Sequence, residues 1–279
     1  MWRLTKIELF KIFKKPRTYI AFGAIAAIIC LVQFALYVDG NTYMNFMLGS
    51  IENSFSVEGN LLNGYLVFFI ILQTLLVHVP LLVALVAGDM IAGEANMGTL
   101  RLLITKPVSR TALLLSKFFA STIYSVLLLT FMAVLGLLVS MMIFGTGDLM
   151  ILKSEKILII DHADILWRYF AAYGFAALSM ITVAALSFLF SVFAENSIGP
   201  IIAAMSVVIV FTILTTMDIP FFNHIKPYLF TNHMLNWKGF FDRPVDRREV
   251  IKSALYLLGH IVFFVSLTIY IFKRKDILS

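Results

Sequence analysis

Along the chain, long runs without charge alternate with short polar connections. A helix needs about 20 apolar residues to cross roughly 30 Å of hydrocarbon. Six runs meet that length, near residues 17–38, 61–88, 112–144, 166–193, 198–216 and 253–272. Each is expected to be helical, because a lone strand leaves its backbone N–H and C=O groups unsatisfied in lipid. The third run is long enough to tilt or to continue beyond the membrane. Residues 2–15 follow another pattern. Trp2, Leu9 and Phe13, flanked by Phe10 and Ile12, fall on one side, while Arg3, Glu8, Lys11 and Lys15 fall largely elsewhere. That is an amphipathic helix lying in the interface, ended by Pro16, so residues 1–16 form an interfacial segment. The pattern predicts an all-α integral membrane protein with six transmembrane helices, built as a single domain over residues 1–279.

Charge gives the expected orientation. Arg3, Lys6, Lys11, Lys14, Lys15 and Arg17 precede the first run, whereas the loop 39–60 holds no Lys or Arg. Basic residues collect on the cytoplasmic side, so the N-terminus is expected there. Arg101, Lys106, Arg110 and Lys117 fall on the same side, as do Lys273, Arg274 and Lys275, and six crossings return both termini to the cytoplasm. One connection opposes this: residues 217–252, predicted to be extracytoplasmic, carry Lys226, Lys238, Arg243, Arg247, Arg248 and Lys252. This connection mixes aromatic pairs with Pro220, Pro227 and Pro244, too polar to span, and short interfacial or re-entrant helices are expected in it.

Composition agrees with a bilayer as the solvent: 61% hydrophobic and 14% charged residues, against roughly half apolar and a quarter charged in a soluble domain. The net charge of +6 does not indicate nucleic acid, since the cations sit beside apolar runs. Cys30, the single cysteine, lies in an apolar run without an intrachain disulfide partner.

The connection GDMIAGEANMGTLRLLITKPVSRTALLLSK, residues 88–117, is the most informative stretch. It contains a helix-competent piece over Glu94–Thr105, with Glu94 suited to its start and Lys106 to its end. Pro107 disfavours continuation, and Ser109 can cap the next helix. Met97, Leu100 and Ile104 share a face at helical spacing. In order and spacing, Gly93, Glu94, Gly98, Thr99, Leu100, Leu102, Leu103, Pro107, Val108, Ser109, Arg110, Leu114 and Lys117 closely resemble the corresponding loop of permeases of the ABC type-2 exporter family. The interfacial helix, six spans and long connection before the last span are similar to that family too.

The resemblance implies a type-2 exporter-like fold in a bacterial plasma membrane, with residues 90–110 carrying a cytoplasmic coupling helix. That helix would dock on a separate ABC ATPase subunit, present in two copies, through Glu94, Gly98, Thr99, Leu100, Arg101, Leu103, Ile104, Pro107 and Arg110. It also implies a second permease copy or paralogue, with the translocation path between the two permeases. Gln73 and His78 are the candidate polar residues of that path. Polar bridging between helices is the plainer reading of both. No cofactor and no metal are expected in this chain, nor is it expected to be an enzyme: ATP and magnesium belong to the partner. Gly93 and Gly98 reproduce half of a phosphate-binding loop, but Thr99 and Leu100 stand where its Lys and Ser or Thr are required.

Two rival functions have partial footing in the sequence. Gly145-Thr146-Gly147-Asp148 spells the GxGD of intramembrane aspartyl proteases, a chemistry that needs two facing carboxylates. No Tyr-Asp pair accompanies Asp148, and HExxH is absent. A secondary transporter or channel would place ionisable residues inside spans, where His78 and His260 stand beside the uncharged Gln33 and Gln73.

Overall fold

The computed structural model describes residues 1–48, 61–105, 107–153 and 156–275. Helix α1 (Trp2–Lys14) ends at Lys15, whose backbone is extended (φ −87°, ψ 129°), and α2 (Pro16–Leu48) begins directly after it. The proline explains both, since it disfavours helix in the residue before it and suits the first helical position itself. Helix α2 runs past the expected end at 38, with a break in its helical geometry at Asp39.

Helix α3 (Gly64–Ala87) is capped by Asn63, whose side chain accepts hydrogen bonds from the Tyr65 and Leu66 amides. It bends by 53° between Gly64–Leu75 and His78–Ala87, just before Pro80, a residue that removes a helical hydrogen bond. Two short helices follow, α4 (Asp89–Asn96) and α5 (Leu100–Ile104), then the long α6 (Arg110–Phe144). After them come α7 (His162–Ser191), α8 (Ile198–Thr216), the one-turn α9 (Phe230–Met234) and α10 (Arg247–Arg274). Among the described residues, five helices are long and apolar enough to cross a membrane, and six when the two arms of α3 count as one span. The protein is therefore a helical, multi-pass membrane protein.

Burial orders the bundle. The most apolar stretch of α7 is 72% buried, against 28% for α2, α6 and α10 and 17% for α8, so α7 is central and α8 peripheral. Helix α3 packs against α6, α7, α8 and α2 and buries Tyr65, Val67, Ile71, Leu75, Val79 and Val83 completely.

The all-α expectation needs one correction. Residues Leu149–Lys153 and Lys156–Ile160 form an antiparallel hairpin, with Leu149 opposite Ile160 and Ile151 opposite Leu158. Each apolar run there is too short for a stable helix, and the second, with Ile157, Ile159 and Ile160, is rich in β-branched residues.

The segment 217–246 consists of short 3₁₀ turns and α9, in keeping with the short helices expected there. It turns back into the bundle. Lys238 Nζ donates to Gln73 Oε1 at 3.2 Å, nine residues into α3 or about 13 Å along its axis. The Phe230 ring lies 6.2 Å from Phe264, seventeen residues into α10 or about 25 Å from its start. Arg168, 5% exposed, clamps the segment by donating to the Phe240 and Asp242 carbonyls at 2.7 and 2.9 Å. At the opposite end, Arg110 Nη1 donates to the Lys273 carbonyl at 3.2 Å and Lys275 Nζ to that of Val192 at 2.8 Å. The start of α6, the end of α7 and the last turn of α10 therefore lie together at one end of the bundle.

Candidate partner-docking site

At that shared end, α1 meets the connection between α3 and α6. Helix α4 has no capping side chain of its own. Instead Ser191, from α7, accepts hydrogen bonds from the Ile91 and Ala92 amides at 3.1 and 2.9 Å, satisfying donors that a helix start leaves open. Helix α4 closes at its other end with Gly98 at φ +68°. The Gly98 amide donates to the Ala95 carbonyl and the Thr99 amide to that of Glu94, both at 3.0 Å. This is a Schellman turn, which places a left-handed residue one position after the cap, and glycine takes that conformation without strain. Gly93 answers a different need: a Cβ there would lie 2.3 Å from Asp89 Oδ1.

These turns correct the expected single helix over Glu94–Thr105. The chain forms two short helices broken at residues 97–99, and Glu94 lies near the end of the first rather than at the start of one. The expected cap at Ser109 is present, accepting from the Ala112 amide at 3.2 Å.

Charge then welds this connection to α1. Glu94 Oε1 accepts from Lys11 and Lys117 at 2.9 and 2.8 Å, and the two Glu8 oxygens accept one each from the same lysines at 2.8 Å. Asp89 accepts from Lys15 at 2.6 Å and also from Arg17 and Ser197. Lys117 is only 1% exposed, so its charge depends on its two carboxylate partners. Burial would raise the Glu8 carboxyl, but Lys117 and Lys11 outweigh it and hold the group below its ordinary value. Burial would likewise lower Lys11, and Glu8 with Glu94 reverses that.

The residues expected to contact an ATPase divide into two sets. Glu94 and Leu100 are 7% exposed and face inward, where they shape the loop. Arg110 is occupied with the end of α10. Gly98 and Thr99 build the turn, Leu103 is half-buried and Pro107 is exposed. The side chains of Arg101 and Ile104, and all of Lys106, lie outside the described residues. Among the described side chains, Met97 (59% exposed) and Leu102 (67%) point outward, with Phe10 of α1 (68%) facing the same opening. A cleft of about 500 Å³ separates α1 from α4 and α5, lined by these three together with Lys14, Thr99 and Leu103.

Gln73 and His78 do not converge. Gln73 accepts from Lys238, while His78 Nδ1 bonds the Thr74 carbonyl of its own helix at 2.8 Å. Both are nevertheless exposed, on a stripe of α3 that the described residues leave uncovered. Asp148, the last residue of the GxGD run, accepts from the His162 amide at 2.8 Å through its carboxylate, and its carbonyl accepts from Asn63. It ties the starts of α3 and α7 together. No local pattern announces the Glu8, Asp89 and Lys15 contacts, and the available signal is a few acids set among many cations at one predicted end of the bundle.

Residues 26–278 match a family described as a protein of unknown function, DUF2705. The chain belongs to the DUF2705 family. The match takes in everything from the second half of the first span onward and leaves α1 outside. This DUF2705 member is also 25% identical over 238 residues to the uncharacterized protein YhcI of Bacillus subtilis (strain 168), which covers 81% of this chain and 74% of that protein.

Proposed function

We propose that this chain is the membrane-spanning permease subunit of an ATP-driven exporter of the ABC type-2 class, coupled through α4 and α5 to a separate ATPase. The observation that carries the reading is the cleft between α1 and the capped α4–α5 turn, where Met97, Leu102 and Phe10 stand exposed beside Lys14. An apolar recess with a charged rim suits a helix or short segment of a partner protein. The ion pairs from Glu8 and Glu94 to Lys11 and Lys117 would let a push on that turn move α1 and α6 together. The resemblance of residues 93–117 to the coupling loop of that family supplies the identity of the partner. ATP and magnesium would be bound there, not in this chain. The uncovered stripe of α3 with Gln73, Thr74 and His78 is the face we assign to a second permease and the path between the two.

The test is whether this chain co-purifies with a P-loop ATPase. Met97→Asp combined with Leu102→Asp should reduce ATPase capture at least tenfold, since two contacts of about 1 kcal/mol or more each are lost. Both side chains are exposed, so the helical bundle should survive. Undiminished capture, or ATP hydrolysis by the purified chain alone, would sink the proposal.

A further inference from the structure

At the far end of the bundle, α10 presents a second built surface. A groove of about 550 Å³ runs between α8 and α10, lined by Phe211, Leu255, Tyr256, Gly259 and Phe263 and floored by Phe230 of the returning segment. Its deepening comes from Gly259, around which a Cβ would find nothing within 4 Å. Leu255 and Phe263 are 63% and 60% exposed, so none of the described residues covers it. Tyr256 is held as one wall, its ring stacked on the buried His233 at 4.4 Å and 11°.

Directly above lies a recess of about 380 Å³ that shares Leu255 and Tyr256 with the groove and adds Arg248, Ile251 and Lys252. Two carboxylates lie close by in sequence: Asp246 caps α10 by accepting from the Arg248 and Glu249 amides at 3.0 and 3.2 Å, and Glu249 is not among the residues that line the recess. Arg248 and Lys252 stand one helical turn apart on the recess. From Arg248 to Phe263 is fifteen residues, about 22 Å of helix, close to one leaflet of a bilayer with its headgroup layer.

We infer that Arg248 and Lys252 bind the phosphate of an anionic glycerophospholipid whose acyl chain lies in the groove past Gly259. The charge complementarity of the recess, its continuity with an aromatic groove and the matching length all point to one amphipathic molecule. This site is independent of the ATPase coupling proposed above, and rests only on the helices crossing a bilayer.

The full chain in nanodiscs should be photolabelled over residues 255–263 by phosphatidylglycerol bearing a photoreactive acyl chain. Arg248→Glu with Lys252→Glu should lower that labelling about tenfold or more, at roughly fivefold per cation. Gly259→Leu, which fills open space, should abolish labelling at 255–263 while leaving the elution and helix content of the protein unchanged. Arg248→Gln with Lys252→Gln gives a milder second variant if charge reversal impairs folding. Equal labelling by phosphatidylcholine, labelling indifferent to these substitutions, or crosslinking of the stretch to a second copy of the chain would overturn the inference.

Discussion

Among single side chains, Lys117 has the largest leverage on this fold. It enters α6 eight residues after the Ser109 cap, fully covered, and meets Glu8 and Glu94 at 2.8 Å each. Removing one partner of a buried ionic cluster leaves uncompensated charge, which costs roughly 3–5 kcal/mol. Lys117→Met should therefore lower the thermal unfolding midpoint in detergent by many degrees, and adding Glu8→Gln should recover part of the loss. An unchanged midpoint would mean that water already reaches these carboxylates. In sequence, Lys117 reads only as one more flanking cation. Its partners come from 109 and 23 residues away, a pairing that no local pattern encodes.

Elements differ in how much of them local chemistry dictates. Helix α8 spans the predicted residues 198–216, because an uninterrupted apolar run allows no other structure in lipid. The break between α4 and α5 is equally local in cause, though the amphipathic spacing of Met97, Leu100 and Ile104 conceals it. Gly98 ends the helix there because its left-handed backbone closes two carbonyls of α4. Gly98→Val would force a β-branched residue into that conformation, at about 1–3 kcal/mol. Hydrogen exchange at residues 97–103 should quicken while the long helices stay protected; unchanged exchange would show that the turn is held by its surroundings instead. The hairpin at 149–160 lay hidden because two five-residue apolar runs carry no period long enough to separate strand from helix.

Across the whole molecule, how the ends meet bears on whether the number of crossings is even or odd. Arg110 and Lys275 hold the C-terminal end of α10 beside the loops before α6 and after α7, where α1 also lies. Protease-cleavable tags at the two termini should thus be cut from the same face of sealed vesicles. Cleavage from opposite faces would require an odd number of crossings and would reverse the later half of the chain. The basic residues of 217–252, which argue against the expected orientation, belong to a segment packed into the bundle by Arg168 and to the first turns of α10. Part of that charge is thereby engaged in tertiary contacts rather than left to govern insertion.

By itself the sequence determined that the chain lives in a membrane, where its long helices run, that α1 stops at Pro16, and that residues 88–117 are unlike a minimal connection. These are properties of apolar length, proline chemistry and capping, and each acts within a few neighbouring residues. Only the tertiary structure decided which loop residues face outward. Glu94 and Leu100 turn inward because Lys11, Lys117 and the bundle core lie behind them, and Met97 and Leu102 are left exposed. It likewise decided that the segment before α10 returns into the bundle and that α10 carries a cationic recess above an aromatic groove. Those features depend on partners from distant parts of the chain, and burial of charge and aromatic surface selects them only once the helices have packed.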